Sequence, residues 1–260
     1  MMAAKKSPKE VRKAIEEGLF TSQTAGMCPG YAQGNLVILP RAYAFDFLLF
    51  AQRNPKACPI LEVVEDGKYL SRTAKGEKVT TTIPKYRVYK NGILTEELDD
   101  IDHLWEDDFV TFILGCSFTF ESALMDAGIP LRHIEEGKNV AMYHTNIPCI
   151  PAGVFKGNTV VSMRPIKAGD VMKAVEITAK YPSVHGAPIH IGDPSAIGIA
   201  DIQKPDFGEM VAIKEGEIPV FWACGVTPQG VAMHVKPLLM ITHAPGHMLI
   251  TDIANDALKG

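Results

Sequence analysis

The chain lacks an apolar run long enough to cross a bilayer: the longest, near Phe109–Leu114, falls far short of the roughly 18 consecutive apolar residues a spanning helix needs. It also lacks a dense lysine/arginine block. Thirty acidic against 26 basic residues give a formal net charge of −4, so neither a nucleic-acid partner nor an anionic membrane surface is expected. No apolar core or small-residue cleavage site follows the lysine-bearing start, Met1–Lys13, which therefore does not read as a secretory signal and leaves a cytoplasmic protein as the expectation. Cysteine is scarce. Cys28, Cys58, Cys116, Cys149 and Cys224 are odd in number and form no C-x-x-C pair, so neither a disulfide framework nor a structural zinc site is indicated. What is present, 260 residues with 47% hydrophobic and 22% charged, fits a globular chain that buries its own core and takes small-molecule ligands. At roughly 150 residues per domain, it makes one large domain or two small ones.

Local patterns give alternating helices and strands. Ser7, Pro8 and Glu10 form a capping box ahead of the stripe Val11, Ala14, Ile15, with Gly18 as the stop. Residues 21–35 read as a Gly-rich loop, Leu36–Leu39 as a strand, and Pro40 as the start of a helix whose face is Ala42, Phe45, Leu48, Leu49 and Gln52. Short alternating stretches from Leu61 to Tyr89 suggest strands, and Lys90-Asn91-Gly92 a hairpin. The eight acids between Glu96 and Asp108 read as a solvated connection, or less simply as a cation site. Phe109–Leu114 reads as a buried strand leading through Gly115-Cys116-Ser117 into a helix with the stripe Phe120, Ala123, Leu124, Ala127. A further helix runs from Asp170 to Lys180. A hairpin is expected around Gly157-Asn158, and short strands at Ile189–Ile191, Val211–Ile213, Pro219–Ala223 and Leu238–Thr242. Helices mixed with strands throughout indicate an α/β or α+β architecture.

Polar, Gly-containing loops follow the expected strands repeatedly, and in such folds ligands lie where those loops meet. Cys116 and Ser117 with Glu121 place a helix N-terminus where it could seat a carboxylate, supply a nucleophile, or simply be capped by Ser117. His185, His190, Asp193, His243 and His247 could ligate a metal, exchange protons or serve the structure, although neither His185/His190 nor His243/His247 has helical ligand spacing. Arg132 and Arg164 are the candidate clamps for a substrate carboxylate, against the plainer reading of intramolecular ion pairs.

The phrases Thr24–Asn35, Pro84–Lys90, Gly115–Glu121, His185–Pro194, Phe221–Gln229 and Thr242–His247, in this order, resemble the D-glutamate cyclase family, long catalogued as bacterial hydro-lyases, over residues 20–253. One departure is His144, where the family pattern carries arginine. The resemblance implies that D-glutamate closes to 5-oxo-D-proline with loss of water, without a cofactor or metal. That reaction needs a carboxylate clamp, donors to the developing oxyanion and an acid–base pair. Residue chemistry then offers Arg164 or Arg132 as clamp and backbone N–H groups near Ser117 and Gly225 as donors, with Cys116 and Thr227 beside them. Glu121 or Asp193 would be the base, and His243 or His185 the proton donor. The resemblance also implies a three-layer α/β/α body with a mixed sheet, from residues 1–61 and 166–260, and a smaller two-layer α+β part at 62–165. Two rivals stand beside it: a metal-dependent hydrolase or lyase on small carboxylic acids, and a non-catalytic carboxylate-binding protein. An exposed apolar face would imply a homodimer.

Overall fold

The computed structural model describes residues 6–260, so the opening of the Met1–Lys13 segment lies outside the described residues. Helix α1 (Pro8–Glu16) starts at the expected capping box: Ser7 Oγ accepts from the Glu10 N–H, and Glu10 Oε2 accepts from the Ser7 N–H at 2.7 Å. Its buried face is Val11 and Ile15 joined by Arg12, whose guanidinium donates to the Ile250 carbonyl and to Asp252.

Strand β1 (Tyr31–Pro40) begins well before the expected Leu36. Glycine was read there as a loop signal, yet at Gly34 it permits close pairing: a Cβ would sit 2.7 Å from Ile113 on the neighbouring strand β5 (Phe109–Gly115). Helix α2 (Arg41–Arg53) follows, but it buries Phe47, Phe50 and Ala51, not the expected face, and Phe45 is 73% exposed. The rings decide the orientation. Phe47 meets Phe112 and Phe155 edge-on, with centroids 4.8 and 5.3 Å apart.

Strands β2 (Ile60–Val64), β3 (Tyr86–Lys90) and β4 (Ile93–Leu98) complete this region, with Asn91 and Gly92 both at positive φ in the β3–β4 turn. Residues 65–85 form turns, not strands, because the Glu62 carboxylate gathers the N–H groups of Ser71, Arg72 and Thr73 and folds the segment over the sheet. In the acidic stretch Asp102 lies between Lys68 and Lys78, and Asp99 meets Lys85. Then come α3 (Phe118–Asp126), α4 (Arg132–Glu135), β6 (Met142–Pro148), β7 (Asn158–Lys167), α5 (Val171–Ala179), β8 (His190–Ile191), β9 (Glu217–Ala223), α6 (Thr227–Val235), β10 (Leu239–His243) and β11 (Leu249–Ala254). The hairpin expected around 157–158 does not form as drawn: β7 pairs with β6 and β9. Val211–Ile213 is not a strand.

The strands form two sheets. One has the order β2-β5-β1-β10-β3-β4 with β11 added against β1; the other has the order β6-β7-β9-β8. Every described pairing between these strands is antiparallel, where the resemblance implied a mixed sheet. Residues 62 and 165 fall inside β2 and β7, and the first sheet draws strands from both sides of residue 62, so those positions do not separate the two sheets. Alternation assigns the faces. Val37, Leu39, Phe112 and Leu114 pack under α2 and α6, while Leu36, Ile38 and Ile113 pack under the 65–85 segment. On the second sheet Val220 and Trp222 meet α3 and α5, and Tyr143 and Phe221 meet the 197–213 segment. Helices and strands therefore share one α/β architecture with covered sheets. No helix among the described residues is long and apolar enough to cross a membrane.

Candidate active site

The sheets meet where β5 and β9 end, and the fit there is tight: a Cβ on Gly115 would lie 2.0 Å from the Ser183 carbonyl oxygen, and one on Gly225 2.0 Å from Asn35 Nδ2. Behind this junction sits Arg164 of β7, with no exposed surface. Its Nε donates to Glu121 Oε1 at 3.0 Å, Nη2 donates to the same oxygen and to Ser117 Oγ at 3.0 Å, and Nη1 donates to Ser162 Oγ at 3.0 Å. Phe120 and Trp222 flank the guanidinium, with ring centroids at 5.5 and 5.4 Å. Burial acts to raise the Glu121 carboxyl, but His133 and Arg164 outweigh it and hold the group below the usual carboxylate range. The structure thus brings Ser117, Glu121 and Arg164 together, as a closed ion-pair cluster and not as an open clamp and base. A carboxylate stabilised in its charged form is a poor proton acceptor.

The other expected site residues are occupied elsewhere. Arg132 donates to the Ala212 carbonyl (2.7 Å) and Glu217 (2.6 Å), tying α4 to β9. Asp193 is exposed and caps the short helix Pro194–Ile197 through the Ser195 N–H. Thr227 Oγ1 donates to the Cys224 carbonyl at 2.7 Å and accepts from the Val160 N–H at 3.1 Å, pinning the start of α6 to β7. Asn35, donating to the Gly115 carbonyl, fills the space beside Gly225. Burial pushes the Cys116 thiol up, the reverse of what a nucleophile requires.

His185 and His243 are each about 1% exposed. His185 Nδ1 lies 2.6 Å from the Lys56 carbonyl and so donates to it, while His243 Nδ1 accepts from the Leu36 N–H at 3.1 Å. Burial pushes them down to about 4 and about 3, so both are neutral in the folded protein. An unfolded chain takes up these protons near pH 6.5. Their contribution to stability is therefore whole above that pH and is lost as pH falls toward 4 and 3, at roughly 1 kcal/mol per pH unit for each histidine. Urea unfolding at pH 7, 6 and 5 is expected to show this decline, with a shallower slope in His243→Gln. A flat profile over that range would contradict the buried neutral assignment.

An open cleft of about 330 Å³ lies on the other side of the Thr242–His247 turn, lined by Lys85, Arg87, Asn139, Asp206 and His247 among others. Two of the sequence phrases meet here because β10 pairs with β3, placing Thr242 opposite Arg87. Arg87 Nε donates to Glu97 at 2.7 Å across the hairpin, and the guanidinium also stands beside the Tyr89 hydroxyl. Lys85 is 3.4 Å from Asp99. His247 Nδ1 lies 3.1 Å from the Pro245 carbonyl, to which it must donate, so Nε2 carries the lone pair. Burial lowers the His247 pKa and favours this neutral form. Cations, carboxylates and a neutral imidazole thus share one pocket of a size suited to a small ligand.

Sequence reasoning named His247 as a metal ligand, a proton-exchanging group or a structural residue, and passed over Lys85, Arg87, Asn139 and Asp206. The signal for the first two was available: cations two apart in an expected strand point to one face. Among the described residues no three His, Cys, Asp or Glu side chains gather in a way that could hold a metal ion.

A family model described as D-glutamate cyclase matches residues 110–252. Proteins named "Putative hydro-lyase" from Clostridium beijerinckii and Geobacillus kaustophilus are each 61% identical over 257 residues, covering 98% of this chain and 98% of each relative. One from Bacillus subtilis is 59% identical over 253 residues, covering 97% of this chain and 98% of its own. A solved nitrogen repressor-like protein from Methanococcus jannaschii covers 94% of this chain and 97% of its own at 9% identity, with a TM-score of 0.39 that carries no argument.

Proposed function

Because the chain belongs to the D-glutamate cyclase family, we propose that it is a hydro-lyase closing D-glutamate to 5-oxo-D-proline and water in the cleft between β3 and the 244–247 turn. The observation that carries this reading is the pairing of a neutral imidazole, His247, with the Arg87 guanidinium in one pocket. Arg87 and Lys85 suit the two carboxylates, and Asp206 and Glu97 suit the ammonium. His247 Nε2 takes a proton from the ammonium, and the freed amine attacks the side-chain carboxyl carbon. The C–N bond forms, a C–O bond breaks, and the departing oxygen leaves as water carrying both protons the nitrogen has lost. The cations stabilise the negative charge on the tetrahedral centre, and holding the chain folded supplies orientation.

Proton NMR of the protein with D-glutamate, L-glutamate and small hydroxy acids tests this. Appearance of 5-oxoproline from D-glutamate is the expected result. New alkene signals from a hydroxy acid would keep a hydro-lyase but replace the substrate, and saturable D-glutamate binding without turnover would favour a carboxylate-binding protein.

A further inference from the structure

Below the Glu121 cluster lies a narrow cavity of about 10 Å³, room for a single small group, with Gln33, Glu121 and Asn255 in its wall. All three are more than nine-tenths buried. Their amide nitrogens are already spent: Gln33 Nε2 donates to the Thr24 carbonyl at 2.9 Å, and Asn255 Nδ2 donates to the Thr119 carbonyl and to Ser122 Oγ. These bonds fix the amide orientations and leave Gln33 Oε1 and Asn255 Oδ1 without a donor. Glu121 directs Oε1 to Arg164, and its Oε2 is likewise unpartnered. Three residues in the wall of one cavity therefore each carry a buried acceptor with no donor, one of them on an ionised carboxylate, an arrangement that is costly unless a ligand supplies hydrogen. The cavity shares Gly30, Ser122 and Asn255 with a wider cleft of about 500 Å³, in whose wall Lys180 also stands.

We propose that this cavity is a binding site for the primary ammonium head of a small molecule, with the rest of the molecule lying in the adjoining cleft. An ammonium has three N–H bonds for three acceptors, and Glu121 Oε2 supplies the opposite charge. Arg164 serves the other oxygen, so the ion pair persists when the ligand binds. The site is separate from the His247 cleft and does not depend on the ring-closure reading.

Methylammonium chloride, titrated into the intact protein and followed by the side-chain amide ¹H–¹⁵N signals of Gln33 and Asn255, tests the proposal without any turnover. Saturable shifts are expected with methylammonium, absent with potassium chloride or methanol, and affinity is expected to fall about tenfold or more in Gln33→Met through loss of a hydrogen bond to a charged group. Asn255→Ser is the second variant should Gln33→Met not fold. Absence of shifts, which leaves water as the occupant, overturns the proposal. Equal shifts with potassium, or undiminished affinity in a folded variant, overturn it too.

Discussion

Asparagine in place of His247 is expected to lower kcat for ring closure of D-glutamate about 10²–10⁴-fold while changing KM little. The split follows from the division of labour in the cleft. In the proposed mechanism binding rests on the charges of Lys85, Arg87, Glu97 and Asp206, whereas His247 Nε2 is the neutral nitrogen base that takes the ammonium proton. The pH dependence has a definite sign. In the proposed mechanism the neutral imidazole is the working form and burial lowers its pKa, so turnover is expected to hold through neutral pH and to fall on the acid side as His247 protonates. Steady-state kinetics of the wild type and His247→Asn between pH 5 and 8 read both features. If kcat stays within about threefold of wild type, the base lies elsewhere and the cleft loses its chemistry.

The second large effect is on stability. Arg164→Met leaves Glu121 buried and without its guanidinium partner, a change expected to cost about 3–5 kcal/mol in urea unfolding. Removing both charges is a different matter. Arg164→Met/Glu121→Leu no longer strands a charge, and the double variant is expected to recover most of the loss. The same protein separates a supporting role from a catalytic one, since a folded double variant that still turns over D-glutamate would exclude Glu121 as the base. Failure of the second substitution to restore stability would show that the pair does not act as a unit.

Short-range features were legible in the sequence, while long-range partnerships were not. The capping box at Ser7, the buried strand at Phe109–Leu114, the helix after Ser117 and the Asn91-Gly92 hairpin each depend on a few neighbouring residues, and each stands in the structure. The inward face of α2 depends on where Phe112 and Phe155 lie, and no local period reveals that. Helix α6 was not among the expected elements, although Pro228 occupies its first turn, where the missing N–H costs nothing. Candidate site residues were chosen for their chemistry, and chemistry does not report burial. Arg164 and Glu121 have the right groups, but they satisfy each other, while Lys85 and Arg87 looked like ordinary strand cations until β10 brought His247 beside them.

The position of β1 also governs the order in which the molecule can assemble. This strand, complete by residue 40, is flanked by β5, by β10 and by β11, which ends at residue 254. A chain leaving the ribosome carries β1 with one side of its ladder unmet until β10 and β11 have been made, and closure of the larger sheet waits for those strands. Pairing at such separation is slow and exposes a hydrophobic edge meanwhile. The early partner, β5, and helix α2 packed on the same face are the elements on hand to shelter β1 until the C-terminal strands arrive.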